Sequence, residues 1–285
     1  MNPYALRGKT VVSFSGGRTS AYMLRQVLDA NEDHSDLLVL FANTGKEHPA
    51  TLDFVQDCAE RWGVPITWLE FRDDDAGFAV VDFASASRAG EPFSAIIKKR
   101  KYLPNPVTRF CTVELKIRTM HRYLKSIGWT NNDGDWDQMI GIRADEQRRV
   151  SKIRKRGTST ETPREHMLMP LADAGVSVHD VGKFWDAQPF NLMLSTVNGR
   201  TLEGNCDCCF LKPLGQVYSI IASDRGKGEW WAKEEAATES TGMFAGDGAR
   251  FRKDRPSYQQ MLDYSDIQID MFAESDDAIE CFCGD

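Results

Sequence analysis

A chain of 285 residues, of which 41% are hydrophobic and 27% charged, is long enough to bury one sizeable core or a core and a smaller lobe. Its formal charge of −7 excludes a globally basic nucleic-acid binder, although basic residues cluster at 98–102 and 148–156. Because it has no apolar run of membrane-spanning length and no signal-like start, we expect a cytoplasmic protein without membrane contact.

Apolar runs of strand length alternate with helical patterns in the first part of the chain. Strands are predicted at 9–15, 36–43 and 65–71, and helices at 21–29 and from Pro49 onward. This alternation predicts an α/β fold with a doubly wound, mostly parallel sheet.

The pattern becomes less regular after residue 72. Residues 72–110 contain an acidic run and several prolines, which indicate an irregular excursion. A helix is expected at about 112–127 and another buried strand at 138–142. The polar residues 157–170 are predicted to form a mobile connection.

Regular alternation ends beyond Pro170, and a smaller, irregular, mainly helical lobe is expected there. Ser177 is the expected N-cap of its first helix. We therefore divide the chain into a nucleotide-binding α/β domain at 1–165 and a C-terminal cysteine-containing lobe and tail at 166–285.

A glycine-rich turn, SFSGGRTS at 13–20, joins the first strand to the first helix. Its glycines let backbone N–H groups converge on an anion, and the helix contributes the positive end of its dipole. The turn lacks the Gly-Lys-Ser/Thr ending of a P-loop, and an ordinary surface turn is the alternative. Its place between a strand and a helix favours phosphate binding.

Two further segments follow predicted strands at the carboxyl edge of the sheet. The Asn-Thr-Gly turn at 43–45 follows the second strand, and Arg143 follows the strand at 138–142. Ligands of α/β sheets bind at this edge, and a guanidinium group suits phosphate or sulfate.

Three neighbouring residues receive structural interpretations. Glu47 is expected to cap the next helix, with Mg²⁺ coordination as the alternative. His48, which precedes a proline, is expected to be a turn residue rather than a base, and Glu146 is the expected partner of Arg143.

Seven cysteines in a chain without an export signal argue against a disulfide framework. Cys206 and Cys209 form a Cys-x-x-Cys on a loop expected to enter a strand, and Cys111 lies far upstream. The three indicate a metal site, with unrelated buried cysteines as the alternative. Cys58 is expected to be such a buried cysteine on a helix.

Five motifs carry a resemblance to a known family; they are, in chain order, VVSFSGGRTSAYML, LFANTGKEHPATLDFV, RFCTVELKI, GIRADEQRR and MPLADAGVSVHDVGKFW. Together they resemble the phosphoadenylyl-sulfate (PAPS) reductase branch of the adenine nucleotide α-hydrolase-like superfamily, over about residues 8 to 215. The first motif resembles the pyrophosphate-binding loop (PP-loop) of that superfamily. The resemblance implies that ATP or an adenylyl sulfate, with Mg²⁺, binds at Ser13, Ser15, Gly16, Gly17, Arg18, Thr19, Ser20, Asn43, Thr44, Gly45 and Arg143.

The resemblance also bears on the cysteines, because iron–sulfur members of the superfamily pair an early cysteine motif with a later Cys-x-x-Cys. It implies a 4Fe–4S cluster, and Zn²⁺ is the alternative that the same ligands allow. The expected ligands are Cys111, Cys206, Cys209 and Cys283, and the alternatives for the fourth are Cys208, Cys281 or no protein residue.

The candidate catalytic residues are Arg109, Lys116 and Cys283. The first two flank Cys111 and would neutralise thiolates or grip an anionic substrate, with a solvated surface as the alternative. The tail ECFCGD half-matches the Glu-Cys-Gly segment that carries the reductases' nucleophilic cysteine, but the family histidine after the glycine is missing.

These observations favour an ATP-dependent, pyrophosphate-releasing enzyme of sulfur metabolism, a sulfurtransferase. The alternatives are a phosphoadenylyl- or adenylyl-sulfate reductase that uses a tail cysteine, and a nucleotide-binding module with a structural metal. The expected partners are the nucleotide and a sulfur donor or carrier protein. A nucleic-acid acceptor and a homo-oligomer are open alternatives.

Overall fold

A six-stranded sheet forms the centre of the computed structural model, which describes residues 2–129, 135–197, 200–238 and 248–268. Its strands are β1 (Thr10–Phe14), β2 (Leu37–Asn43), β3 (Ile66–Glu70), β4 (Ala79–Val81), β5 (Trp136–Ile140) and β6 (Glu165–Leu168). Their order is β4-β3-β2-β1-β5-β6, with β4 antiparallel to β3 and the other pairs parallel. The predicted doubly wound, mostly parallel α/β fold is confirmed.

Helices and one short hairpin complete the described part of the chain. The helices are α1 (Arg18–Ala30), α2 (Pro49–Trp62), α3 (Glu91–Arg100), α4 (Phe110–Thr112), a π-helical segment (Val113–Arg118), α5 (Thr119–Ser126), α6 (Gln147–Arg156), α7 (Pro170–Asp173), α8 (Val178–Asp186), α9 (Leu214–Ser223), α10 (Gly226–Ala237) and α11 (Tyr258–Gln268). The hairpin pairs β7 (Thr196–Val197) with β8 (Arg200–Thr201). None of these helices is long and apolar enough to span a bilayer.

The central strands read as nearly continuous apolar runs because both faces of the sheet are covered. In β2, Leu40 belongs to one buried cluster and Phe41 to another, as the alternation of a strand requires. A further buried cluster lies where α3, α9, α10 and α11 meet around Trp231, Phe251 and Tyr258.

Two segments hold more regular structure than expected. The predicted irregular excursion at 72–110 contains β4 and α3, and the predicted mobile connection at 157–170 contains β6. Strand β6 forms because its backbone pairs with β5 and because Met167 donates its N–H to the carbonyl of Gly157 at 2.9 Å. Backbone pairing at the sheet edge thus outweighs the polar sequence, which favours a loop.

The chain beyond Pro170 is mainly helical, and its first helices pack with the sheet. The indole Nε1 of Trp185 in α8 donates to the carbonyl of Arg18 at 2.9 Å. Ser177 is the N-cap of α8, and its N–H and hydroxyl both donate to Asp180, at 2.8 and 2.6 Å. The N-cap prediction is confirmed, whereas the division at 165/166, which falls within β6, stays a prediction.

Candidate nucleotide and thiol site

The two glycines of the loop between β1 and α1 occupy different environments. Gly16 has a φ of +73°, and a Cβ there would lie 2.6 Å from the Thr51 Cγ2 and 3.1 Å from the Val55 Cγ2. Gly17 is the N-cap of α1 with a φ of −101°, and a Cβ there would meet only the Ser15 Oγ, at 3.6 Å. Gly16 is therefore required by the path of the chain, whereas the space beside Gly17 is open.

The serines of the loop hold its shape. The Ser15 N–H donates to the Ser20 Oγ at 3.2 Å, and the two hydroxyl oxygens lie 2.9 Å apart. The Ser20 hydroxyl donates back to the carbonyl of Gly17 at 2.9 Å. No side chain of the described residues caps the N-terminus of α1, so its first N–H groups are available to an anion.

Arg143 faces this loop from the end of β5. Its Nη1 donates to the Thr19 Oγ1 at 3.1 Å, and its Nε donates to the Asp145 Oδ1 at 3.0 Å. Glu146 accepts the Arg143 N–H at 3.1 Å and lies 3.6 Å from Nη1, as the expected pairing requires. The structure therefore brings together the loop and the cation that the sequence placed at one sheet edge.

Two residues of the predicted nucleotide set interact with neighbouring elements. The Ser13 hydroxyl contacts the Met120 Sδ at 3.8 Å, and the Arg18 Nη2 donates to the carbonyl of Leu192 at 3.4 Å. The Arg18 Nε is buried without a hydrogen-bond partner among the described residues. Burial lowers the pKa of Arg18, and Asp186 partly opposes this shift.

Asn43 holds the end of β2 in place. Its Nδ2 donates to the Glu70 Oε1 at 2.7 Å and to the carbonyl of Ser87 at 2.9 Å, while its Oδ1 accepts the Gly45 N–H at 3.1 Å. The Asn43 amide is thus engaged inside the protein, and its role in nucleotide binding stays a prediction.

Glu47 turns inward instead of capping a helix. Its carboxylate accepts the Thr44 N–H at 2.9 Å and the Thr44 hydroxyl at 2.8 Å, and it lies 3.9 Å from the Lys116 Nζ. The N-cap of α2 is His48, whose Nδ1 accepts the Ala50 N–H at 3.1 Å. The expectation that Glu47 caps the helix is wrong because the adjacent His48 occupies the N-cap; the interpretation of His48 as a turn residue rather than a base stays a prediction.

The cysteine segment 206–209 lies against the residues that follow β2. Cys206 forms a backbone bridge with Glu47, and the Asp207 N–H donates to the carbonyl of Lys46 at 2.9 Å. The Cys206 Sγ lies 3.5 Å from the Thr44 Oγ1. The segment consists of turns and leads into α9, so the expectation that it enters a strand is wrong.

Cys111, on α4, joins Cys206 and Cys209 in one electrostatic environment around Lys116. Burial disfavours the Lys116 charge, but Glu47 and then the three thiols outweigh it and raise the Lys116 pKa. Burial, followed by repulsion from Cys209, raises the pKa of Cys111 to about 11. Burial likewise raises the pKa values of Cys206 and Cys209. Burial therefore disfavours ionisation of these thiols, and a bound metal cation would favour it.

The donor set is all sulfur, which suits soft metals. Among the described residues, no three His, Cys, Asp or Glu side chains are arranged around a position for one metal ion. A tetrahedral zinc with Zn–S bonds of about 2.3 Å would hold its thiolates about 3.8 Å apart. An iron–sulfur cluster binds each thiolate at a different iron and so accepts a wider spacing. The choice between a cluster and a zinc ion stays a prediction.

The remaining candidates separate into two groups. Cys283 and Cys281 lie outside the described residues. Cys208 is buried in the cluster of α9, α10 and α11, and Cys58 is buried against the sheet, as predicted. Arg109 is exposed and contacts no charged or polar partner among the described residues, so of the two flanking cations only Lys116 faces the thiols.

Sequence reasoning missed a buried ion pair beside the thiols. The Lys46 Nζ lies 2.9 Å from the Asp207 Oδ2 and 5.0 Å from the ring centroid of Trp230. The Asp207 Oδ1 accepts from the Trp231 Nε1 at 2.8 Å. The sequence does show one indication of this ion pair, because Asp207 places a carboxylate between cysteines. Nothing in its local sequence, however, indicates that Lys46 is its partner.

Comparisons with known proteins agree with this architecture. The sequence matches the family model of the phosphoadenosine phosphosulfate reductase domain over residues 9–187. It is 30% identical over 224 residues to the uncharacterized nin region protein ORF290 of Escherichia phage lambda, covering 76% of this chain and 70% of that protein.

Two solved structures are also similar in fold. The phosphate complex of PAPS reductase from Candida auris has a TM-score of 0.41 at 13% identity, covering 67% of this chain and 80% of that one. The U34-tRNA thiolase NcsA from Methanococcus maripaludis, with its 4Fe–4S cluster, has a TM-score of 0.41 at 16% identity, covering 82% of this chain and 73% of that one.

Proposed function

Because the chain belongs to the phosphoadenosine phosphosulfate reductase domain family, a branch of the PP-loop enzymes, we propose that it uses ATP to activate an acceptor for sulfur transfer. One observation supports this proposal above the others. The residues after β2 connect the sheet edge of the glycine loop to the cysteines, since the Thr44 Oγ1 lies 3.5 Å from the Cys206 Sγ. A nucleotide on the loop would therefore share one edge of the sheet with the thiols.

The loop supplies the means to hold a triphosphate. The uncapped N–H groups at the start of α1 and the positive end of its dipole attract phosphate oxygens. The Arg143 guanidinium, 3.1 Å from the Thr19 hydroxyl, is placed to pair with one of them, and the buried Arg18 Nε has an unused proton. Mg²⁺ would accompany the ATP as its counterion.

The proposed reaction has two displacements. An oxygen of the acceptor attacks the α-phosphorus of ATP, the bond from that phosphorus to the bridging oxygen breaks, and pyrophosphate leaves with the electron pair. Hydrosulfide from a sulfur donor or carrier protein then attacks the activated carbon, a C–S bond forms, and the C–O bond breaks to release AMP. Neither step changes the number of electrons, so no oxidant or reductant is required.

The thiols define the sulfur end of the site. Cys111, Cys206 and Cys209 would hold an iron–sulfur cluster; bound by these three alone it would supply an iron that can carry sulfide, whereas a fourth thiolate would close that position. Lys116, ion-paired with Glu47 at 3.9 Å, places a positive charge beside the three sulfurs and favours their ionised forms. Cys283 remains the proposed fourth ligand or nucleophile, outside the described residues.

The second candidate is reduction of PAPS, which is supported by the match to the phosphoadenosine phosphosulfate reductase domain. A cysteine thiolate attacks the sulfate sulfur, the S–O bond breaks, and adenosine bisphosphate leaves. A second thiol then attacks the resulting S-sulfocysteine, which yields a disulfide and releases sulfite. Two thiols are oxidised and one sulfate is reduced, so this reaction needs a dithiol to regenerate the enzyme.

Product analysis separates the two candidates. Protein purified without oxygen would be incubated with ATP, Mg²⁺ and sulfide, and in parallel with PAPS and a dithiol. We expect pyrophosphate and AMP from ATP even without the acceptor, since water can replace it slowly. The Gly17→Val variant should abolish this release, whereas Cys206→Ser should retain it. Sulfite from PAPS with no AMP from ATP would contradict the proposal and identify a reductase.

A further inference from the structure

Helix α6 (Gln147–Arg156) concentrates positive charge in a chain whose formal net charge is −7. Six of its 10 residues are Arg or Lys. Arg149 pairs with Glu146, Arg154 pairs with Asp173 at 2.6 Å, and the Arg156 Nε donates to the carbonyl of Thr158 at 2.6 Å. These three contacts account for half of the basic residues and leave the other half to be explained.

The other three cations, Arg148, Lys152 and Lys155, are exposed and have no ion-pair or hydrogen-bond partner among the described residues. They lie at positions i, i+4 and i+7, within an arc of about 60° and over about 10.5 Å of the helix axis. The opposite side of α6 packs inward through Val150, which is 2% exposed. The three form a straight row on the solvent side, which we call the α6 row.

Stabilisation of the helix does not explain why all three cations of the α6 row are present. Arg148 lies in the first turn, where the helix dipole disfavours a cation. It also lies four residues from Lys152, and like charges at this spacing destabilise a helix. Only Lys155, in the last turn, interacts favourably with the dipole.

We propose that the α6 row docks the phosphodiester backbone of a nucleic-acid strand. Each strand of a duplex carries one phosphate per about 3.4 Å of helix axis, so the length of the row spans about three phosphate steps. A straight row of equally charged groups complements such a linear, repeating anion better than it complements the scattered carboxylates of an acidic protein surface.

The position of the α6 row connects it to the candidate nucleotide site. Helix α6 begins four residues after Arg143, whose Nη1 donates to Thr19 in the glycine loop at 3.1 Å. A strand held along α6 would thus place one of its nucleotides near an ATP bound at the loop. The inference that this nucleic acid is the acceptor rests on the proposed function, whereas the binding itself does not.

The test measures binding of a fluorescein-labelled, mixed-sequence single-stranded RNA by the full chain. One triple variant removes the α6 row (Arg148→Gln, Lys152→Gln, Lys155→Gln). A matched variant removes three exposed lysines on other helices (Lys98→Gln, Lys125→Gln, Lys233→Gln). Both change the net charge from −7 to −10, so the total charge lost is the same and its position differs.

Fluorescence anisotropy between about 50 and 200 mM salt gives the salt dependence of the affinity. Loss of three phosphate contacts should reduce the slope of log K against log salt by about 2, at about 0.7 per contact. The wild type should then lose about 20-fold more affinity than the α6 variant over this range. The matched variant should keep the slope of the wild type. Equal effects of the two triple variants, or no binding by the wild type, would overturn the proposal.

A DNA strand of the same sequence and polyglutamate serve as further probes. DNA should compete for the α6 row as RNA does, because the contacts are to phosphates, and polyglutamate should not. Competition by polyglutamate at equal charge concentration would contradict the proposal and indicate an acidic protein partner. Release of AMP from ATP with water as acceptor should be unchanged in the α6 variant, so a failure of docking is distinguishable from a failure of the proposed function.

Discussion

Substitution of the two adjacent glycines of the loop should separate folding from nucleotide binding. In Gly16→Ala, the new side chain must adopt a φ of +73°, which costs about 1–2 kcal/mol. Its Cβ would also lie 2.6 Å from the Thr51 Cγ2 and 3.1 Å from the Val55 Cγ2, so α2 must shift. Overpacking of this kind costs about 1–3 kcal/mol, and the total loss of unfolding free energy should be about 2–5 kcal/mol.

Substitution of Gly17 should have the opposite effect: little loss of stability and a large loss of nucleotide affinity. Its φ of −101° suits any residue, and the nearest atom to a new Cβ is the Ser15 Oγ at an ordinary 3.6 Å. Gly17→Ala should therefore change the unfolding free energy by less than about 1 kcal/mol. The added methyl group stands where a phosphate must approach the N–H groups of α1, so ATP affinity should fall at least about tenfold, and further in Gly17→Val.

Urea unfolding measures the first effect, and calorimetric titration with ATP and Mg²⁺ measures the second. The two variants control for each other, because they add the same atom to adjacent positions of one loop. A folded Gly17→Val protein with undiminished ATP affinity would refute the assignment of the loop. A Gly16→Ala protein as stable as the wild type would refute the packing argument.

Further substitutions test the rest of the site and one element of the fold. Arg143→Ala should weaken ATP binding by about 1.5–3 kcal/mol, measured by titration, with little change in urea midpoint; unchanged affinity would remove Arg143 from the site. Cys206→Ser should lower the iron content and sulfur transfer while leaving ATP affinity within about twofold; unchanged iron by elemental analysis would contradict this. Asp207→Asn should destabilise the protein by about 3–5 kcal/mol, because it leaves the Lys46 ammonium buried without a counter-ion. The double variant Lys46→Met/Asp207→Leu should recover part of that loss in urea unfolding, and no recovery would contradict the ion-pair argument. Ser177→Ala should cost about 0.5–2 kcal/mol through loss of the N-cap of α8, and an unchanged Tm would argue against it.

Much of the sheet was predictable from the sequence because its central strands are buried on both faces. Apolar runs mark β1, β2, β3 and β5, and Pro49 and Ser177 mark helix starts. Strand β6 was not predictable, because its residues Glu165 and His166 are polar. It is held by pairing with β5 and by a 3.0 Å contact between the Glu165 carboxylate and the His121 Nε2, neither of which has a local sequence signal.

In the candidate site too, some residues could be placed from their local sequence and others could not. The position of Arg143 after a buried strand was sufficient to place it opposite the loop. The environment of Glu47 was not predictable, since it depends on Lys116 from the π-helical segment and on the bridge to Cys206. Those contacts form only when distant parts of the chain come together in the fold. The spacing of residues in the sequence does not predict them.

The central claim is that an adenine nucleotide binds at the sheet edge that also carries the thiols. A crystal structure with a non-hydrolysable ATP analogue and Mg²⁺ tests it most directly. We predict that the phosphates contact the backbone N–H groups of residues 16–20 and the Arg143 guanidinium, on the side of the sheet edge where the Thr44 Oγ1 lies 3.5 Å from the Cys206 Sγ. A nucleotide bound away from the loop, with these N–H groups free, would contradict the claim.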